Sequence, residues 1–341
     1  MDISSMTLEE LEQFVLSKNE KKFRAKQIFE WIHNKRVRKF SEMTNLTRDF
    51  RELLAQEHNI EAVEIEKKYE SSLNDVCKYL LRMSKDTIIE SVLMKYSFGY
   101  SICVSSQAGC AMGCAFCVSG EDGFFRNLSA YEILAQVYRI QDDIGERISN
   151  IVIMGSGEPL HNFDNVVKFI EIVSSKQGIN IGKRHITLST CGIVSEIYKL
   201  AELRLGINLA LSLHAPNDDV RRQIMPVAKT YNMAETLESC DYYAKTSGRR
   251  ITYEYALVKG VNDSMECARE LGSRLKGRLA HVNLIPVNTG SGINFESPER
   301  KSIQAFYDVL TNLGVSASIR RELGSDIAAA CGQLKSEYTK Q

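Results

Sequence analysis

Three cysteines in one short loop have the spacing of a metal-binding motif. The segment GCAMGCAFCVSG places Cys110, Cys114 and Cys117 in a C-x3-C-x2-C pattern. Thiolates are the ligands that iron–sulfur clusters and other soft metals prefer. Three ligands leave one iron of a four-iron cubane open for a small molecule, whereas structural zinc usually takes four. The motif predicts an iron–sulfur cluster, with a zinc site that takes its fourth ligand from elsewhere as the alternative.

The other cysteines are not arranged as a disulfide framework. The chain has nine cysteines, an odd number, in 341 residues. Its N-terminus is acidic and amphipathic, unlike a secretory leader, which predicts a reducing cytoplasmic compartment. Cys103 lies seven residues before the first motif cysteine, and Cys331 lies near the C-terminus. Four cysteines are predicted to be core or incidental residues: Cys77, Cys191, Cys240 and Cys267.

Polar residues follow several apolar segments that are typical of strands. They are Gly157 and Glu158 after IVIM, Ser189 in HITLST, Ser212, Leu213 and His214 in LALSLHA, and Asn288 in NLIPVN. The carboxyl ends of parallel strands meet at one edge of a sheet, where ligands bind. The recurrence predicts one ligand site, and ordinary strand capping is the alternative.

The elements that position these residues follow three successive patterns. Residues 1–65 are predicted to be helical and begin with a Thr7–Glu10 capping box. Residues 66–95 contain alternating segments, VCKYLLRM and TIIESVLMKY, that predict antiparallel strands. Over residues 96–334, apolar strands alternate with amphipathic helices, and a short tail covers 335–341. This alternation predicts an α/β fold with a parallel sheet, either open or closed into a barrel.

Charge is informative locally rather than in total. Lys+Arg and Asp+Glu are both 43, and no apolar run approaches the length of a membrane span. Residues 18–39, however, carry nine Lys or Arg against Glu20 and Glu30, a local charge of +7, with Phe23, Phe29 and Trp31 between them. The segment predicts an RNA-binding face, because phosphates attract cations and aromatic rings stack on unpaired bases. A solvated helical face with Trp31 in the core is the alternative.

Several further segments resemble one enzyme family. They are CVSSQAGCAMGCAFC, FFRNLSAYEI, GSGEPLHNFDNV, ITLSTCGI, LALSLHAPND, GVNDS, VNLIPVN, GSDIAAACGQL and, near the N-terminus, FRAKQIFEWIH. Together they resemble the radical S-adenosylmethionine (SAM) superfamily, and within it the RlmN/Cfr branch of ribosomal RNA adenosine methyltransferases. The resemblance implies a partial (β/α)6 barrel over 96–334, with a small helical RNA-binding domain over 1–65 and a β extension over 66–95.

The resemblance also implies the cofactors and their ligands. The three motif cysteines would hold a [4Fe–4S] cluster, and its open iron would chelate SAM. Reductive cleavage of SAM would give a 5′-deoxyadenosyl radical, so the difficult chemistry belongs to the cofactor. The strand-end residues would contact SAM: Gly157, Glu158, Ser189, Ser212, Leu213, His214 and Asn288.

Two further cysteines and one carboxylate receive catalytic roles from the resemblance alone. Cys331 would be methylated by a first SAM, and its methyl group, after hydrogen abstraction, would add to the adenine ring. Glu90 would accept the ring proton, although strand alternation by itself predicts that Glu90 points outward. Cys103 would attack the Cys331 sulfur, which would release the RNA and leave a Cys103–Cys331 disulfide.

The implied substrate is an adenosine of 23S rRNA, adenosine 2503, methylated at C2. The resemblance adds tRNA as a further substrate, a flavodoxin or ferredoxin as electron donor, and a monomeric state without membrane attachment. C8 methylation of the same adenosine by a Cfr-type enzyme is the alternative activity. A zinc-stabilised RNA-binding protein is the alternative from another class.

Overall fold

The computed structural model describes residues 2–60, 63–84, 87–121, 123–287, 295–321, 323–330 and 332–334. Its N-terminal helices are α1 (Leu8–Ser17), α2 (Phe23–His33) and α3 (Arg48–Glu57). The predicted capping box is present at α1, where the Glu10 amide donates to the Thr7 hydroxyl and the Thr7 amide donates to the Glu10 carboxylate. Each bond satisfies an amide that has no partner within the helix.

An antiparallel extension follows the helices. It consists of β1 (Glu64–Glu70), β2 (Val76–Ser84) and β3 (Thr87–Tyr96), and the two predicted strands correspond to β2 and β3. The sequence patterns did not predict β1, whose residues EIEKKYE begin inside the segment expected to be helical. β1 is an edge strand with largely exposed side chains. Charged residues therefore lie on both of its faces, and its sequence lacks the alternation of apolar and polar residues that would indicate a strand.

The remaining strands form the parallel part of the sheet and one small hairpin. They are β4 (Gly99–Val104), β5 (Gln107–Gly109), β6 (Phe124–Asn127), β7 (Ile148–Ile153), β8 (Ile186–Thr190), β9 (Asn208–Ser212), β10 (Ile251–Leu257), β11 (Ala280–Pro286) and β12 (Ala317–Ile319). The helices are α4 (Ala130–Ile144), α5 (Phe163–Ser174), α6 (Val194–Glu202), α7 (Asp218–Ile224), α8 (Met233–Ser247), α9 (Met265–Leu275) and α10 (Arg300–Asn312).

The topology is that of an open barrel. Within the described residues the large sheet has the order β1-β2-β3-β4-β7-β8-β9-β10-β11-β12, and every pair from β4 to β12 is parallel. Helices follow β4, β7, β8, β9, β10 and β11, which confirms the predicted partial (β/α)6 arrangement. Because β4 pairs with β3 on its other side, the antiparallel extension continues the sheet instead of closing it.

The N-terminal helices pack against α4 and α5 and share their hydrophobic core. Ile28 and Ile32 of α2 belong to the same buried cluster as the barrel residues. At the contact, His33 Nδ1 lies 3.1 Å from the Tyr138 hydroxyl, and Arg36 Nε lies 2.7 Å from an Asp142 carboxylate oxygen.

In the described part of the chain, no helix has the length and apolar character that crossing a membrane requires.

Candidate active site

A cavity at the carboxyl ends of the parallel strands brings most of the predicted residues together. Its lining includes Cys110, Cys114, Cys117, Gly157, Glu158, Ser189, Ser212 and His214. The Leu213 side chain is not part of this lining and packs in the main hydrophobic core. Asn288 and Cys331 lie outside the described residues. Five of the predicted strand-end residues therefore share one cavity, as the parallel topology predicted: Gly157, Glu158, Ser189, Ser212 and His214.

The β5–β6 hairpin and α7 hold the cysteine loop in place. The Cys110 amide donates to the Gly123 carbonyl at 3.0 Å, and the Ala115 amide donates to the Ile224 carbonyl at 2.9 Å. Gly109 has φ +73°, and a Cβ at this position would lie 2.0 Å from the Gly123 oxygen. Glycine is therefore required where the loop leaves β5.

The three motif cysteines all line this cavity. Three thiolates suffice for a four-iron cubane with one open iron, whereas structural zinc usually takes four protein ligands. The cysteines and their shared cavity therefore fit a [4Fe–4S] cluster better than the alternative zinc site.

Burial favours the protonated thiol at Cys110 and Cys114 when no metal is bound. It raises the pKa of Cys110 to about 11 and raises the pKa of Cys114 further. A thiol must lose its proton to become a ligand, so loading the site with metal releases protons into the medium.

Gly157 and Glu158 follow β7 and contact two adjacent parts of the chain, Gln107 of β5 and Cys191 after β8. Gly157 has φ +104°, and a Cβ there would lie 2.5 Å from the Gln107 Cβ. The buried Glu158 carboxylate accepts hydrogen bonds from the Leu160 amide at 3.0 Å and the Cys191 amide at 2.7 Å. Burial raises the pKa of Glu158, while these bonds oppose the shift. The pair thus has a packing role that the sequence patterns did not reveal.

The ends of β8 and β9 form the adjoining wall of the cavity. The Ser189 and Ser212 hydroxyl oxygens lie 3.4 Å apart. His214 has φ +55°, accepts a hydrogen bond from the Ala256 amide at its Nδ1, and packs against the Phe116 ring. Burial lowers the pKa of His214 to about 3, so its imidazole is neutral at neutral pH.

Sequence reasoning missed two residues of this wall. Arg221 of α7 is completely buried, and its guanidinium donates to the backbone carbonyls of Cys191 at 2.7 Å and Leu213 at 3.3 Å. These bonds tie the loops after β8 and β9 together. Cys191, predicted to be a core or incidental residue, is indeed buried in an apolar cluster, but it also lines the cavity. Its position directly after β8 could have indicated that Cys191 lies at the ligand site. Nothing in the α7 sequence DDVRRQI indicates that Arg221, rather than Arg222, is the buried arginine.

A second group of predicted residues lies on one face of the antiparallel extension. Val92 of β3 is opposite Lys78 of β2 and Cys103 of β4, and Glu90 is two residues away on the same strand. Side chains two apart on a strand share a face, so Lys78, Glu90 and Cys103 face the same side. Glu90 is 8% exposed, so the expectation from alternation that it points outward is wrong. Nearly all of β3 is buried on both faces.

The C-terminal segment, of which residues 323–330 and 332–334 are described, covers this face and reaches the cysteine loop. Ala329 and Leu334 pack in one cluster with Val92 and Cys103. At the far end, the Val118 amide donates to the Gly332 carbonyl at 2.9 Å, and the Ser119 hydroxyl donates to the Leu334 carbonyl at 2.6 Å. The described residues on either side of Cys331 therefore contact both the cysteine loop and the face of the sheet that carries Lys78, Glu90 and Cys103.

Comparisons with known proteins agree with this arrangement. Residues 104–271 match the radical SAM superfamily, and residues 1–60 match the ribosomal RNA large subunit methyltransferase N-terminal domain. The chain is 53% identical to a probable dual-specificity RNA methyltransferase RlmN from Alkaliphilus oremlandii, over 99% of this chain and 98% of that protein. A relative with the same description from Lachnoclostridium phytofermentans is 52% identical, over 99% and 95% of the two chains.

A solved structure is similar over nearly the whole chain. The crystal structure of a radical SAM methyltransferase from Sphaerobacter thermophilus superimposes with a TM-score of 0.91 at 39% identity, covering 98% of this chain and 99% of that one. The similarity thus extends well beyond the residues that match the radical SAM superfamily.

Proposed function

The chain belongs to the RlmN family of radical SAM RNA methyltransferases, and from this premise we propose that it methylates C2 of adenosine 2503 in 23S rRNA. We propose tRNA as a second substrate, a flavodoxin or ferredoxin as electron donor, and a monomeric cytoplasmic enzyme. The observation that carries the proposal is the position of the C-terminal segment between the three-cysteine cavity and the Cys103–Glu90 face.

Cys110, Cys114 and Cys117 are the proposed cluster ligands, and the strand-end residues are the proposed SAM contacts. When bound, the cluster and SAM supply the radical chemistry that an unactivated carbon requires. The protein contributes walls that exclude water, including Met112, Phe116 and the neutral His214. A dry cavity protects reactive species from side reactions.

The proposed roles of Cys331, Cys103 and Glu90 follow from the chemistry of the adenine ring. C2 is electrophilic but carries no leaving group, so simple displacement by a carbon nucleophile fails. Cys331 would deliver the carbon and remain joined to the RNA until Cys103 attacks its sulfur. Glu90 would accept the ring proton. The shared face of Glu90 and Cys103, next to the segment that contains Cys331, supports these assignments.

Mass spectrometry of ribosomal RNA tests the proposed reaction. RNA from cells that lack this gene should have no methyl group on the target adenosine, and the wild-type gene should restore one methyl at C2. Complementation with Cys331→Ala provides the control, because this variant should restore nothing. A methyl group at C8 would establish the Cfr-type activity, and identical RNA with and without the gene would contradict both.

The N-terminal basic segment presents less free charge than its sequence suggests. Five of its nine cations pair with acidic residues: Lys18, Lys22, Arg24, Lys26 and Arg36. Lys35, Arg38 and Lys39 are exposed just after α2, and the Lys35 ammonium lies 3.5 Å from the centre of the half-buried Trp31 ring. We propose that these three cations, rather than the whole segment, contact RNA phosphates.

Reversing this charge should weaken RNA binding. In the Lys35→Glu, Arg38→Glu, Lys39→Glu variant, we expect a lower affinity and a plot of log K against log salt that is less steep by about 2 to 3, since each phosphate contact contributes roughly 0.7 to 0.9 to the slope. Arg36 is left intact because its ion pair with Asp142 attaches the end of α2 to α4.

The matched control reverses three exposed cations in another part of the chain, at the ends of α8 and α9 and just before β10: Lys245, Arg250 and Lys276. This variant should bind RNA as the wild type does. Equal affinities and salt slopes for both triple variants would instead support the interpretation of residues 18–39 as an ordinary solvated surface.

A further inference from the structure

Lys78 is a buried cation near the start of β2. Its side chain is 11% exposed, and its ammonium lies 3.1 Å from a Glu90 carboxylate oxygen. The same ammonium donates to the Ala328 carbonyl at 3.4 Å. Burying an ammonium group costs free energy unless the charge is paired and hydrogen-bonded, and here both conditions are met.

The surroundings of Lys78 do not require a charge for packing. Its neighbours on this face include Val76, Val92 and the Ala329 methyl group, which form an apolar cluster. A methionine of similar length would fill the same space, and exchanging buried ion pairs for apolar residues is often neutral or stabilising. The ammonium also lies 5.4 Å from the centre of the Tyr69 ring. Its charge is best explained by the two groups within hydrogen-bonding reach, the Glu90 carboxylate and the Ala328 carbonyl.

These two groups belong to different parts of the proposed site. Glu90 is the proposed proton acceptor on β3, and Ala328 lies three residues before Cys331. Ala328 has φ +50°, a left-handed conformation that costs free energy for a residue with a Cβ. A hydrogen bond to its carbonyl stabilises this turn. Lys78 thus connects the acceptor to the segment that carries the proposed methyl donor.

We propose that Lys78 is a positioning residue for RNA methylation, which holds the Glu90 carboxylate oriented toward the C-terminal segment and fixes that segment at Ala328. This inference rests on the proposed function. In the step concerned, the proton leaves the ring carbon, its electron pair stays in the ring, and the Glu90 carboxylate becomes a neutral acid. Lys78 takes no part in this proton transfer.

Removing the ammonium should disable Glu90. Removing a cation from beside a buried carboxylate favours the protonated form of that carboxylate. A carboxyl group that is already protonated cannot accept the ring proton. The effect should therefore appear in the turnover step rather than in RNA binding.

The experiment compares Lys78→Met, Lys78→Arg and Lys95→Met in cluster-replete, anaerobically purified enzyme with an rRNA fragment that contains the adenosine. Lys78→Met should lower kcat for RNA methylation by about 100-fold or more, the range for losing a general base, with KM for RNA unchanged. Lys78→Arg keeps the charge and should recover most of the rate. Lys95 is exposed on the neighbouring strand, and its variant should match the wild type.

A double-mutant cycle with Glu90→Gln decides whether Lys78 acts through Glu90. In that background Lys78→Met should cause a loss far smaller than 100-fold, because only its bond to the Ala328 carbonyl remains to be removed. The double variant, which has neither buried charge, is the folded reference if Lys78→Met is unstable. Full activity of Lys78→Met, or losses that multiply in the double variant, would overturn the inference. Absence of RNA methylation by the wild type would instead refute the proposed function.

Discussion

Replacing any one of Cys110, Cys114 and Cys117 by Ala should abolish both the iron–sulfur cluster and RNA methylation. Two remaining thiolates cannot hold a cubane with its open iron directed at the strand ends. Iron and sulfide analysis after anaerobic reconstitution, together with the absorption spectrum, measures cluster content. SAM cleavage under reducing conditions measures its reactivity. Both should fall to background in all three variants.

Cys191→Ser is the matched control for this experiment. Cys191 lines the same cavity, but its amide and thiol contact Glu158 and it lies outside the motif. Serine retains a hydrogen-bond donor at this position, so the variant should bind the wild-type amount of iron. A motif variant with full iron and normal SAM cleavage, or a Cys191→Ser protein without iron, would show that the ligands are assigned incorrectly.

Replacing Cys103 by Ala should trap the enzyme on its RNA. In the proposed mechanism Cys103 acts only at release, so methylation of Cys331 and addition to the base should still occur. The covalent intermediate would then have no thiolate to resolve it. We expect a protein–RNA species that survives denaturation and that nuclease reduces to a nucleotide adduct on the peptide containing Cys331. Gel electrophoresis and peptide mass spectrometry detect it.

Two controls separate this role from a structural one. Cys331→Ala should retain its cluster but give neither methylated protein nor adduct. Cys77→Ala alters a cysteine of β2, which is separated from the Cys103 strand by β3. Cys77 is opposite Leu93, whereas Cys103 is opposite Val92, so the two cysteines face opposite sides of the sheet. The Cys77→Ala variant should turn over normally. Normal turnover by cluster-replete Cys103→Ala without any adduct would eliminate the two-cysteine mechanism.

The amino-acid sequence determined the parts of this protein that depend on local order. Apolar periodicity predicted the alternating strands and helices, and the Thr7–Glu10 box predicted the start of α1, because both signals lie within a few residues. The C-x3-C-x2-C spacing indicated the cluster loop for the same reason. The parallel topology then implied that residues at successive strand ends would meet, and Ser189 and Ser212 do.

Other features were decided only by the tertiary structure. Alternation placed Glu90 outside, but it cannot identify the outer face of a strand that is covered on both sides. The basic segment, residues 18–39, has a formal charge of +7 in the sequence. In the structure, however, Lys18 and Arg36 pair with Glu57 and Asp142, which are distant in sequence. Lys78 gave no local signal either. Burial and ion pairing depend on which surfaces the folded chain brings together, and no short stretch of sequence contains that information.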